Sequence, residues 1–75
     1  MFLSKLKVGE SAQVVALDNP KQLKARLKNM GLTEGVKVTL IRKAPLSDPI
    51  EIKVRDFYLA IRLLDAQKIM VKKYE

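Results

Sequence analysis

No cysteine and no histidine occurs in this chain of 75 residues. Disulfides are therefore excluded, and so are the thiolate and imidazole sets that hold most structural and transition metals. A chain this short buries one core and no more, and such a core supplies only about 3–5 kcal/mol unaided. Whatever this sequence folds into must be carried by apolar side chains on regular elements, supported where needed by a partner. The apolar share, 48%, suffices for a packed interior and argues against disorder. No repeat, linker or low-complexity run divides residues 1–75, which read as one domain.

The cleanest periodic signal is Ile50-Glu51-Ile52-Lys53-Val54-Arg55. Successive side chains of an extended backbone point to opposite faces, so this alternation predicts a strand half-buried in an antiparallel sheet. Val36, Val38 and Leu40 alternate likewise, as do Phe57, Leu59 and Ile61, and all six are expected to face inward. Residues 12–17 predict a further strand, with Val14 and Ala16 on one face and Val15 and Leu17 on the other. Ile69-Met70-Val71 predicts a closing strand, and Leu3, Leu6 and Val8 are expected to reach the core. Thr33-Glu34-Gly35 and Arg55-Asp56 read as turns.

One segment has the helical period instead. Leu23, Leu27 and Met30 share a stripe that Lys21, Lys24 and Lys28 avoid. Asp18 or Asn19 can cap this helix, Pro20 suits its first position, and Gly31 is expected to end it in the left-handed conformation. A helix of about three turns does not persist alone and must dock. Residues 63–68 predict a shorter helical turn. The pattern as a whole describes a mainly β fold, a small barrel of five to six strands with one inserted α-helix and a short C-terminal helical turn.

Several kinds of chemistry are not expected. A nucleophile needs a base within reach, usually histidine, and no phosphate-cradling glycine loop is present. The carboxylates Glu34, Asp48, Glu51, Asp56 and Asp65 are scattered. No catalytic residue, cofactor, small-molecule substrate or metal site is expected. The N-terminus is too short and polar for a signal peptide, and no run approaches the roughly 20 apolar residues of a membrane helix. A cytoplasmic location is expected. Fifteen basic against eight acidic side chains give a net charge of +7. Such a balance favours acidic partners, although much of the lysine can simply solvate the surface.

Three separated motifs resemble a known family. They are Arg26-Leu27-Lys28-Asn29-Met30-Gly31-Leu32-Thr33-Glu34-Gly35, the loop and strand Ala44-Pro45-Leu46-Ser47-Asp48-Pro49-Ile50-Glu51-Ile52, and Leu59-Ala60-Ile61-Arg62 followed by Asp65-Ala66 and Ile69-Met70-Val71. In order and spacing they are similar to FeoA, the small cytoplasmic protein of bacterial ferrous iron uptake. Related domains end some iron- and manganese-responsive repressors. Two positions depart from the family pattern, which has glycine where this chain has Ser47 and Asp56. A positive φ at Asp56 would be better tolerated than at most residues but less well than at glycine. The resemblance implies an SH3-like barrel that regulates FeoB, the membrane iron transporter with a cytoplasmic GTPase domain, by contact on its cytoplasmic side and without carrying iron. Any link to the membrane would then run through that partner.

Loop 45–49 is the candidate contact site. Two prolines stiffen it, so binding costs little conformational entropy. Leu46 stands between turn residues, either as an exposed apolar knob or folded back over the core. Pro45, Leu46, Asp48 and Arg62 are the candidate partner-binding residues. Asp48 can instead bond the backbone just after it as an Asx turn, and Arg62 can instead pair with Asp65. Other readings are a small basic barrel binding nucleic acid, a repressor-type appendage, or a self-associating domain. The nucleic-acid reading is opposed by the few aromatics, Phe2, Phe57, Tyr58 and Tyr74, with Phe57 expected to be buried.

Overall fold

The computed structural model describes residues 1–17 and 21–74. A 3-10 turn, Leu3–Lys5, leads into β1 (Ser11–Leu17), α1 (Lys21–Asn29), β2 (Lys37–Lys43), β3 (Ile50–Val54), β4 (Phe57–Ile61), α2 (Leu63–Ala66) and β5 (Ile69–Lys73). The strands form one antiparallel sheet in the order β4-β3-β2-β1-β5. The fold is thus mainly β, with five strands, an inserted helix and a short C-terminal helical turn. Among the described residues β4 and β5 are not hydrogen-bonded to each other. The chain passes between them through α2. The expected cap, Asp18 or Asn19, and Pro20 at the first helical position lie outside the described residues.

The alternation of β3 translates directly into burial: Ile50, Ile52 and Val54 are in the core. Val36, Val38 and Leu40 join them, as do Leu3 and Leu6 ahead of β1. Val8, expected to reach the core, is instead 61% exposed. It sits in a tight reversal where Gly9 N–H donates to the Leu40 carbonyl (2.7 Å) and Glu10 N–H to that of Lys7 (2.9 Å). Backbone pairing there leaves the Val8 side chain outside.

Strand β1 departs from simple alternation. Its pairing with β5 shifts register between Val14 and Ala16, so Val15 is an extra residue in the ladder. A bulge of this kind resets which face follows. Val14 and Leu17 consequently both point inward while Val15 is exposed, correcting the expected assignment of Val14 with Ala16 and of Val15 with Leu17. At the same point β1 exchanges its neighbour β2 for the turn before it. Val14 N–H donates to the Val36 carbonyl (2.9 Å), and Gly35 N–H donates back to Val14 (2.7 Å).

Leu23 and Leu27 dock α1 on the core, with Met30 packed against it and Lys21, Lys24 and Lys28 exposed. The helix ends as its sequence predicts. Leu32 N–H donates to the Leu27 carbonyl (2.9 Å) and Gly31 N–H to that of Lys28 (3.0 Å), the paired bonds of a Schellman motif. Gly31 has φ +92°, and the Phe57 ring tip would lie 2.9 Å from any Cβ placed there. Phe57 is therefore not a core residue, contrary to expectation. It stands at the hairpin end of an edge strand, 39% exposed, with its ring tip against the backbone of Gly31. Leu59 is partly buried and Ile61 is fully in the core. The β3–β4 hairpin pairs Val54 with Phe57 across Arg55 and Asp56. Arg55, at φ 55°, takes the positive φ considered for Asp56.

Candidate partner-binding site

Loop 44–49 joins β2 to β3 and is closed at its base. Ala44 N–H donates to the Pro49 carbonyl (3.0 Å), and Ser47 N–H donates back to Ala44 (2.7 Å), making a turn over Pro45 and Leu46. Ser47 closes that turn at φ 63°, and the Asp48–Pro49 peptide is cis. This geometry turns Leu46 outward, and at 90% it is among the most exposed large apolar residues of the fold. Of the two readings open for Leu46, the exposed knob is the one observed. Pro45 and Pro49 are exposed beside it.

Asp48 does not form an Asx turn. Its Oδ1 accepts the Leu63 N–H at 3.0 Å. That N–H opens α2, whose preceding residue, Arg62, offers no side-chain cap. The carboxylate therefore satisfies a helix-end donor and pins the loop to the β4–α2 junction. Arg62 does not pair with Asp65, because Asp65 is taken by Arg26 of α1 at 2.7 Å. Arg62 is exposed and, among the described residues, forms no ion pair.

Pro45, Asp48 and Arg62 come together around a residue the sequence did not single out, Ala60. Three shallow hollows meet at its methyl group. One of about 470 Å³ is lined by Arg42, Lys43, Pro45, Pro49 and Glu51. One of about 370 Å³ is lined by Asp48, Pro49 and Arg62. The third, about 490 Å³, runs past Arg62 to Met30, Leu64 and Asp65. Leu46 lines none of them and projects separately. Leu64, 69% exposed, is a second apolar knob. The doublet Leu63-Leu64 carried a signal for it, since adjacent residues of one helical turn cannot both face the core.

Four basic and three acidic side chains line these hollows. Arg42 is held by Glu51 at 3.0 Å, while Lys43 is exposed and forms no ion pair among the described residues. Lys53 lies over the Tyr58 ring at 5.9 Å, and Lys37 lies over the Tyr74 ring at 5.2 Å. These exposed rings, with the half-exposed Phe57, weaken the argument from scarce aromatics, although each tyrosine already carries its own ammonium. No group of three or more carboxylates gathers among the described residues. No helix there is long and apolar enough to cross a membrane.

Comparison with known proteins places these features in context. The sequence profile of the FeoA domain matches residues 1–73. An Fe(2+) transport protein A/Fe(2+) transporter FeoB fusion protein of Porphyromonas gingivalis is 33% identical over 72 residues. The match takes in 96% of this chain and only 8% of the fusion protein's length. The solution structure of FeoA from Chlorobium tepidum is 36% identical and superimposes with a TM-score of 0.93, covering 100% of this chain and 71% of that one. The crystal structure of Stenotrophomonas maltophilia FeoA with zinc, described as an SH3 domain protein, is 26% identical with a TM-score of 0.84, covering 96% and 89%.

Proposed function

This chain belongs to the FeoA family, and from that premise we propose that it is a cytosolic regulator of ferrous iron uptake, acting by direct contact with a FeoB-type transporter on its cytoplasmic side. The family is one of small accessory domains of iron transport and not a known enzyme family. The observation that carries the reading is the fusion protein, in which a relative of this chain and a FeoB transporter share one polypeptide. Covalent linkage of two activities favours their physical association, because it raises the effective concentration of each at the other. The exposed knob of Leu46 on a loop braced at both ends supports contact as the mode of action.

The test is titration of the purified chain against the transporter's cytoplasmic domain and against the full transporter in detergent. Saturable binding to either is expected. Binding to neither, with iron uptake unchanged when the chain is deleted, would sink the reading. L46D is expected to weaken the complex roughly tenfold, since about 1–2 kcal/mol follows from losing a buried apolar contact. It should leave the fold intact, because Leu46 is 90% exposed. Unfolding of this variant would remove Leu46 from the site.

A further inference from the structure

Resting on the reading that this chain works through a protein partner, we propose that the outer edge of β4 receives that partner as an added strand, an extended segment rich in Asp and Glu. The sheet has two ends, and they are treated differently. At β5 the N-terminal residues cover the edge: Val71 N–H donates to the Met1 carbonyl (2.7 Å), the Met1 ammonium donates to the Val71 carbonyl (3.2 Å), and Phe2 bridges to Met70. At β4 no backbone segment does so among the described residues. Sheet edges that are neither covered nor bulged are templates for another strand.

The register fixes which groups would be used. Val54 and Phe57 flank a two-residue loop and close the hairpin. Hydrogen-bonded pairs alternate with open ones from there, so Tyr58 and Ala60 direct their N–H and carbonyl groups away from β3. Both residues are exposed. Ala60, whose side chain is only a methyl group, lines three hollows, where side chains of an added strand would lie.

Charge selects the occupant. Lys43 and Arg62 line hollows that meet at Ala60, and neither forms an ion pair among the described residues, whereas each carboxylate lining the hollows is engaged: Glu51 with Arg42, Asp65 with Arg26, and Asp48 with the Leu63 N–H. A second copy of the chain would bring the same cations, and the same net charge of +7, edge to edge. An acidic strand would neutralise them.

Two synthetic peptides of about eight residues, a usual strand length, test this: one alternating Val with Glu, the other Val with Lys. The acidic peptide is expected to slow amide exchange at Tyr58 and Ala60, the basic one to leave it unchanged, and added salt to weaken the effect. Equal protection by both, shifts confined to other residues, or protection that appears without peptide as protein concentration rises would each overturn the proposal. A60P removes an outward N–H that the fold does not use. A60E keeps the backbone and sets a like charge against the peptide. Each is expected to lower affinity for the acidic peptide at least about tenfold, the loss of one or two hydrogen bonds. A60E settles the matter if A60P does not fold. The transporter separates the two readings. If wild type and A60E bind it equally, regulation by contact stands and the β4 edge is excluded. If the acidic peptide protects Tyr58 and Ala60 but no transporter binds, the edge stands and the regulatory reading falls.

Discussion

Gly31 shows how much one position can carry. Its φ of +92° favours glycine, and the Phe57 ring occupies the place of a side chain. G31A is expected to cost about 1–2 kcal/mol from the left-handed backbone alone, with a further penalty from displacing the ring. Urea midpoints of G31A, F57L and the double variant will separate the two, because only the ring's share disappears with Phe57 and the pair is therefore not additive. Asp48 is the second such residue. D48A should lose about 0.5–2 kcal/mol, the usual worth of a helix-end acceptor, while D48N keeps an oxygen for Leu63 N–H and most of the stability. Equal losses in thermal melts of both variants would mean that the bond to Leu63 contributes nothing. The sequence foresaw Gly31 because a left-handed helix end has a local chemical signature. It misplaced the bond of Asp48 because the partner lies fifteen residues away, beyond any local rule.

At the level of elements, regular pairing was legible and its irregularities were not. The inward faces of β2 and β3 follow from alternation. The bulge at Val15 has no side-chain signature in residues 12–17, so the facing of β1 could not be read there. The stretches that carry the family resemblance are in good part architectural: Arg26 reaches Asp65, Leu27 and Leu32 close the helix end, and Ala66 is buried. Ion pairing also clamps the ends of strands. Glu10 accepts from Lys73 Nζ at 2.9 Å and from Lys7 N–H at 2.7 Å. Its carboxyl is held below the usual range, first by the Lys73 hydrogen bond and then by the Lys7 amide. A lowered folded-state pKa means that this stabilisation is complete above the unfolded value, about 4.3, and is lost as pH falls through the folded one. The urea midpoint should decline over that interval, and less so in E10Q. An identical acid limb in E10Q would place the sensitivity at other carboxylates.

The whole molecule rests on one apolar cluster that no disulfide supports. Leu3 belongs to it and is fully buried, although it lies eight residues before the first strand. L3A is expected to cost about 2–5 kcal/mol, comparable with the total of about 3–5 kcal/mol available to a core this small. Circular dichroism should then show a substantial unfolded population at room temperature. A melting curve unchanged from wild type would show that the N-terminal segment is dispensable. The mainly β class was legible because five apolar segments had strand lengths and turn signals between them. The groove at Ala60 was not, since a small residue announces nothing until neighbours from three elements surround it.

The two tyrosines are the chain's principal intrinsic fluorophores, there being no tryptophan, and both lie outside the core under lysine ammonium groups. Ultraviolet emission from this protein therefore reports on its two flanks and is nearly blind to its interior. Loosening of the apolar cluster could pass unnoticed in such a spectrum. A ligand settling on β4 would alter Tyr58 alone, leaving Tyr74 as a built-in reference within the same molecule.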